Sequence, residues 1–284
     1  MKPASNDGLT FPDATYIYGS EKETYFVNKI IELRKNDRNR FFHVKDHLFC
    51  PLCELAPLKF IGASQNGNRR AHFAAIDSSK HEKNCIYNYP RATKAILSQI
   101  DENPDSASIQ TRLNGLLSLL DSDAPPKEHP CIVNVDTKGQ ILSKQAKNTD
   151  GVLTYHIPQR KLSYPLDKSC IDVPQCFYGK ASLEWHTKGP NETRNYPLHE
   201  LYIYRIAEDD PTCILRFNGK VFGHLPEPIR KDDGTKFVDA LAFYVQLSDR
   251  YTPAGIKRKD GKPVYTAFIN HSSKIIFWST SSNQ

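Results

Sequence analysis

Two cysteines spaced Cys50-Pro51-Leu52-Cys53, followed after a spacer of 27 residues by His81-x3-Cys85, constrain this chain more than any other feature. A tetrahedral metal ion takes four thiolate or imidazole ligands, and closely spaced pairs are what a tight knuckle and a short turn present to it. Pro51 suits such a knuckle because its fixed φ favours a turn. His-x3-Cys places both ligands on one side of a helical turn or tight loop. A further histidine, His72, lies inside the spacer, so five residues compete for four positions: Cys50, Cys53 and Cys85, with His81 as the fourth and His72 as its rival. The spacing predicts a structural Zn2+ site. The other four of the seven cysteines, Cys131, Cys170, Cys176 and Cys213, show no second metal spacing and read as buried or free thiols.

At 284 residues there is room for one large or two ordinary domains. No run of 18 apolar residues occurs, so no membrane-spanning helix and no membrane partner are expected. The polar stretch Met1 to Ala14 lacks the apolar core of a secretory leader, which points to the cytoplasm. A reducing compartment favours metal-bound or free thiols over disulfides. The net charge is +6: residues 1–125 hold 16 basic and 15 acidic side chains, residues 126–284 hold 22 and 17. That balance permits a nucleic-acid partner without requiring one.

Along the chain, Met1 to Pro12 reads as loosely attached. Glu23 to Arg34 has apolar residues at helical spacing, and Phe41 to Val44 reads as a strand leading into the knuckle. Leu58 to Gly62 and Ala71 to Ala74 read as strands joined by a turn at Asn66-Gly67-Asn68. Helices follow at Thr93 to Ile100 and Ile109 to Leu120. The proline-rich stretch 121–130 has no apolar side chain larger than alanine except proline and is the linker candidate. These readings place an N-terminal zinc domain at 1–124, a linker at 125–130 and a second domain at 131–284. In the second, short β-type runs (Cys131 to Val135, Val152 to Ile157, Gln175 to Trp185, Glu200 to Ile206, Cys213 to Phe217, Val264 to Ile269, Lys274 to Trp278) surround one expected helix, Lys236 to Leu247. Asn270 to Ser273 has the length of a hairpin loop. The expected class is α+β: a small zinc-bound β-hairpin/helix domain, then a β-rich domain with one helix. The latter reads as an antiparallel Greek-key barrel of the OB-like kind, or another β-rich arrangement.

The segments Phe49-Cys50-Pro51-Leu52-Cys53, Arg69-Arg70-Ala71-His72-Phe73 and His81-x3-Cys85 resemble the zinc-finger module that opens competence protein CoiA-like proteins. The resemblance covers about residues 40 to 100. It implies a bacterial protein tied to DNA through competence, mobile elements or phage defence, often with a nuclease following the finger. The chain departs from the family's His-Phe-x-His at its second histidine, where Ala75 stands. The nearest approach to a nuclease pattern is Asp172 with Glu184-Trp185-His186-Thr187-Lys188. Its Glu-x3-Lys spacing is one strand step too long, and it reads as the solvated face of a strand. No phosphate-binding glycine loop or nucleophile elbow occurs. No catalytic residue is assigned, and the chain is expected not to be an enzyme.

Two functions compete. In the first, Arg69, Arg70, Arg38 and Arg40 contact phosphates. Aromatics of the β-rich domain (Tyr202, Tyr204, Phe217, Phe222), interleaved with Arg205, Arg216 and Lys220, then accept the bases of single-stranded DNA or RNA. The basic loop Lys257-Arg258-Lys259 is a further contact. In the second, the chain is a non-catalytic adaptor that binds a protein partner in a bacterial defence or mobile-element complex.

Overall fold

The computed structural model describes residues 10–278 apart from 12, 65–70, 84, 105–108, 121–129, 143–150, 167–169, 172, 192–193, 227–228, 230–233, 251–255 and 257. Of the stretch Met1 to Pro12 expected to be loosely attached, residues 1–9 and 12 lie outside the described residues, as do the Asn66-Gly67-Asn68 turn and residues 121–129, whereas Thr10–Phe11 correct that expectation: they form a paired strand with Phe11 buried. The chain divides into two units, residues 1–91 and 92–284.

Unit 1 begins with β1 (Thr10–Phe11), β2 (Asp13–Tyr18) and β3 (Glu21–Phe26). Helices α1 (Val27–Asn36) and α2 (Arg38–Lys45) follow, then β4 (Leu48–Phe49), β5 (Leu58–Ile61) and β6 (His72–Ala75). One sheet has the order β3-β2-β4, the other β1-β6-β5. Gly19 (φ 58) and Ser20 close a two-residue hairpin between Tyr18 and Glu21, and the first turn position needs a positive φ that glycine adopts freely. That hairpin corrects the helix expected from Glu23: residues up to Phe26 pair with β2 and bury Tyr25, and helix begins only at Val27. The strand expected at Phe41 to Val44 is also corrected, to helix. The Asp37 carboxylate accepts a hydrogen bond from the Arg40 amide at 2.9 Å and caps α2. Phe41 and Val44, three apart, then turn inward while Phe42 faces out. Local β preference loses here to a capped helix with a buried face.

Unit 2 begins with α3 (Lys94–Glu102) and α4 (Ile109–Ser118), then a small sheet of β7 (Ile132–Val135), β8 (Ile141–Leu142) and β9 (Leu153–His156). Next come β10 (Gln159–Lys161), β11 (Gln175–Lys188), β12 (Leu198–Tyr204), β13 (Cys213–Phe217), α5 (Gly219–Gly223), β14 (Phe237–Val245), β15 (Tyr265–Ile269) and β16 (Ile275–Phe277). The main sheet runs β15-β13-β12-β11-β14-β16, with β10 also on β11. Its pairing is mixed, since β13–β15 and β10–β11 are parallel, where an all-antiparallel sheet was expected.

Three further corrections follow. Residues 237–245 are strand β14, not helix. Leu241, Phe243 and Val245 enter one core, while Ala240, Ala242 and Tyr244 enter a second one shared with α3 and α4. A strand buried on both faces loses the alternation that marks a strand in sequence. Residues 270–273 do not close a hairpin: β15 and β16 lie on opposite edges of the sheet. The sequence also grouped residues 92–124 with the metal module, whereas α3 and α4 pack into unit 2.

The short β15–β16 connection dictates the sheet's shape. Six flat strands span about 24 Å edge to edge, yet six Cα steps reach at most about 22 Å, and three of the joining residues form a 3-10 turn (Ser272–Lys274). The sheet therefore curls into a half-barrel, and an antiparallel bridge from Ser248 to Thr266 ties the chain after β14 to β15. The expected α+β class with an OB-like curled sheet is what the structure shows. Within residues 131–284 the described α-helix is α5.

Polar contacts fix the helices on this sheet. The Tyr244 hydroxyl donates to the Leu97 carbonyl at 2.9 Å, and buried Arg112 donates to the carbonyls of Pro130 and Ile132. Lys274, almost wholly buried, places its ammonium 2.7 Å from the Asp101 carboxylate. Removing one partner of a buried charge leaves the other uncompensated. Asp101→Ala should therefore destabilise unit 2 by about 1–3 kcal/mol in urea unfolding, and adding Lys274→Met should recover part of that loss.

Candidate metal centre

Cys50 leaves β4 and enters a tight turn. Its amide donates to the Ala56 carbonyl at 2.8 Å, and the Glu54 amide donates back to the Cys50 carbonyl at 2.9 Å. Glu54 occupies the left-handed region (φ 58), which lets the chain reverse directly after Cys53. The second ligand pair sits between two 3-10 turns, Ser78–Lys80 and Ile86–Asn88. Asp77 caps the first by accepting from the Ser79 amide at 3.0 Å, and the Cys85 amide donates to the Glu82 carbonyl at 2.8 Å.

These turns bring ligand atoms of Cys50, Cys53, His81 and Cys85 within 4.8 Å of one another. Cys50 Sγ lies 3.9 Å from Cys85 Sγ, and His81 Nδ1 lies 3.4 Å from Cys53 Sγ and 3.5 Å from Cys85 Sγ. A tetrahedral ion with metal–sulfur bonds of about 2.3 Å and a metal–nitrogen bond of about 2.0–2.1 Å has sulfur–sulfur edges of about 3.8 Å and sulfur–nitrogen edges of about 3.6 Å. The donor set fits a metal ion in both chemistry and dimensions. His72 sits opposite Ile61 in the β5–β6 ladder and is not one of the four.

Electrostatics point the same way. Burial pushes the Cys50 thiol far above its ordinary range, while hydrogen bonding from Cys50 and then Cys85 holds Cys53 well below it. The Cys50 contact lowers Cys85, but Cys53 and burial outweigh it and leave that thiol at about 12. A bound divalent ion supplies the charge that three thiolates need. Phe11 of β1 stacks on the His81 ring at 6.0 Å, and Tyr87 meets Phe11 edge-on at 4.5 Å, so an aromatic wall screens the cluster from water. Nδ1 of His81, 3.4 Å from the Cys53 sulfur and 3.5 Å from the Cys85 sulfur, is the nitrogen placed to bind the ion, while buried Nε2 has no hydrogen-bond partner among the described residues.

Of the residues singled out as nucleic-acid contacts, Arg69, Arg70 and Lys257 lie outside the described residues. Arg38 and Arg40 are on α2. Arg40 pairs with Glu21 at 3.3 Å and lies over the Tyr16 ring. Arg258 is nearly buried and held by Asp260 at 3.0 Å, Glu208 at 3.4 Å and the Pro211 carbonyl, whereas Lys259 is exposed near Asp209. The Tyr204 hydroxyl donates to Glu184 at 2.7 Å, and Arg216 Nε donates to Glu200 at 2.9 Å. Lys188 also reaches Glu200, at 2.7 Å, which ties up the lysine of the nuclease-like pattern; Asp172 lies outside the described residues. Phe217 is fully buried, and Phe222 stacks on His199. Sequence reasoning missed exposed Phe42. Once 38–45 is helical, the spacing Arg38, Phe42, Lys45 marks one face.

No known protein family, curated protein or solved structure matches the chain. The likeness to CoiA-like proteins thus extends to a generic metal-binding cluster of three cysteines and one histidine.

Removing a ligand should release the metal and unfold unit 1, because binding and folding are one event in such modules. Cys53→Ser and His81→Ala should drop metal content from about one ion per chain to near zero and abolish the unit 1 melting transition, while His72→Ala should leave both intact. Ligands bind deprotonated, so affinity falls as pH falls. A chelator competition run from pH 8 to pH 5 should show progressively easier metal loss.

Proposed function

We propose that the ion is Zn2+ and that the chain is a non-enzymatic nucleic-acid-binding protein of the bacterial cytoplasm, serving a competence, mobile-element or phage-defence system. Three soft thiolates and one imidazole in a tetrahedron suit zinc, and four protein ligands leave no open position for a reacting water, as in structural sites. The observation that carries the binding function is the charge distribution. With the division after Arg91, unit 1 holds 14 basic and 10 acidic residues, a net +4, and unit 2 holds 24 and 22, a net +2. Two-thirds of the excess positive charge thus belongs to the smaller, metal-organised unit. Counting to residue 125 hides this, because Asp101, Glu102, Asp105, Asp121 and Asp123 offset it. A concentrated positive surface attracts phosphates and releases their counterions. The CoiA-like pattern of the ligands supports the same reading.

A mobility-shift series against salt with single-stranded oligonucleotides tests this. Arg69→Ala/Arg70→Ala should weaken binding and lower the log-log salt slope by about 1.4 units. Absence of binding to any DNA or RNA at low salt would replace this function with that of a protein-binding adaptor.

A further inference from the structure

The outward face of α2 carries an exposed aromatic ring bracketed by two cations. Phe42 is 44% exposed; the Arg38 guanidinium lies 5.7 Å from its ring centroid and the Lys45 ammonium 4.9 Å. The three sit at i−4, i and i+3, one stripe of the helix. Phe42 meets Phe41 edge-on at 5.6 Å but lies outside the buried face of the helix, which Phe41 and Val44 supply. Of the acids nearby in sequence, Asp37 is engaged as the helix cap, and Asp46 meets Lys45 only at 3.7 Å. Such an exposed pair is worth little and yields easily to a phosphate.

The outer face of β11–β13 in unit 2 offers a contrast. Its cations Arg216 and Lys188 both hold Glu200, whose side chain is fully buried. Diverting them to phosphates would strand a buried carboxylate. Charge complementarity therefore favours α2 over that sheet face.

We propose that the α2 face is a stacking site for an unpaired base of a single-stranded nucleic acid, with Phe42 as the platform and Arg38 and Lys45 on the flanking phosphates. This rests on the nucleic-acid reading above and gives it a surface and a substrate class. Every base has a π-face, so such a site tolerates sequence, while a base paired in a duplex cannot reach it.

Fluorescence anisotropy with labelled dT20 and U20, a duplex competitor and a salt series tests the proposal on the full-length, metal-loaded chain. Phe42→Ala should weaken single-strand binding about 5- to 150-fold and leave the salt slope and metal content unchanged. Arg38→Ala/Lys45→Ala should lower the slope by about 1.4 units. Phe42→Trp should retain binding and show tryptophan quenching by dT20, a readout independent of any loss of fold in the alanine variant. The dT20 and U20 arms separate DNA from RNA as the source of the strand. If Phe42→Ala binds like the parent and Phe42→Trp is not quenched, the base site is elsewhere and the nucleic-acid function survives. If the parent binds neither oligonucleotide at low salt, both fall. If it binds phosphatidylserine vesicles or polyglutamate through Phe42 instead, the face belongs to that partner and the proposal is overturned.

Discussion

Three thiols and an imidazole gathered within 4.8 Å, mostly buried, are a liability to a protein unless a cation sits among them. Two thiolates about 4 Å apart repel by about 4 kcal/mol at an effective dielectric of 20. A divalent ion reverses the sign of the whole arrangement. Cys50 and Cys85 belong to the same apolar cluster as Phe11, Tyr16, Ile30 and Phe73, so an ion held by the four ligands would join the hydrophobic core of unit 1 to the two 3-10 turns around His81. Strand β1, paired with β6, reaches the cluster through Phe11, which stacks on His81, and the Cys50–Cys53 knuckle follows α2 and β4.

Unit 2 is organised by burial instead. Strands β11 and β14 feed apolar side chains into cores on both faces, and the short β15–β16 connection bends the sheet around one of them. Cys131, Cys170, Cys176 and Cys213 are buried there without disulfides, Cys131 and Cys176 in side-chain hydrogen-bond contact. Its outer charges satisfy one another, with Glu200 held by Arg216 and Lys188, and Arg258 by Asp260 and Glu208. Unit 1 pairs cations in the same way, Lys22 with Glu54, Lys29 with Glu23 and Arg40 with Glu21, but its sequence carries the larger net excess of positive charge.

Much of this was legible in the residues, and the failures share a cause. Ligand spacing is a local property, so the Cys50, Cys53 and Cys85 cluster was readable directly, but choosing His81 over His72 needed the path of the chain between them. Strands β12 and β13 came through although both of their faces are largely buried, because Glu200, Tyr202, Tyr204 and Arg216 on the second face keep a polar or tyrosine alternation against Leu201, Ile203, Leu215 and Phe217. Strand β14 did not, because burial on both faces erased its alternation. The aromatic run at Phe41 and Phe42 favoured a strand until the Asp37 cap and the inward turn of Phe41 and Val44 made it a helix. That single misreading hid the α2 face, since Arg38, Phe42 and Lys45 align only at helical spacing. Edge-to-edge closure of the main sheet is a non-local fact, and a five-residue connector reads in sequence as a hairpin.

Zinc K-edge X-ray absorption on the purified chain tests the metal-centred organisation of unit 1 most directly. The expected shell is three sulfur atoms at about 2.3 Å and one nitrogen at about 2.0–2.1 Å. A shell of nitrogen and oxygen only, or a metal-free protein whose unit 1 stays folded, would contradict it.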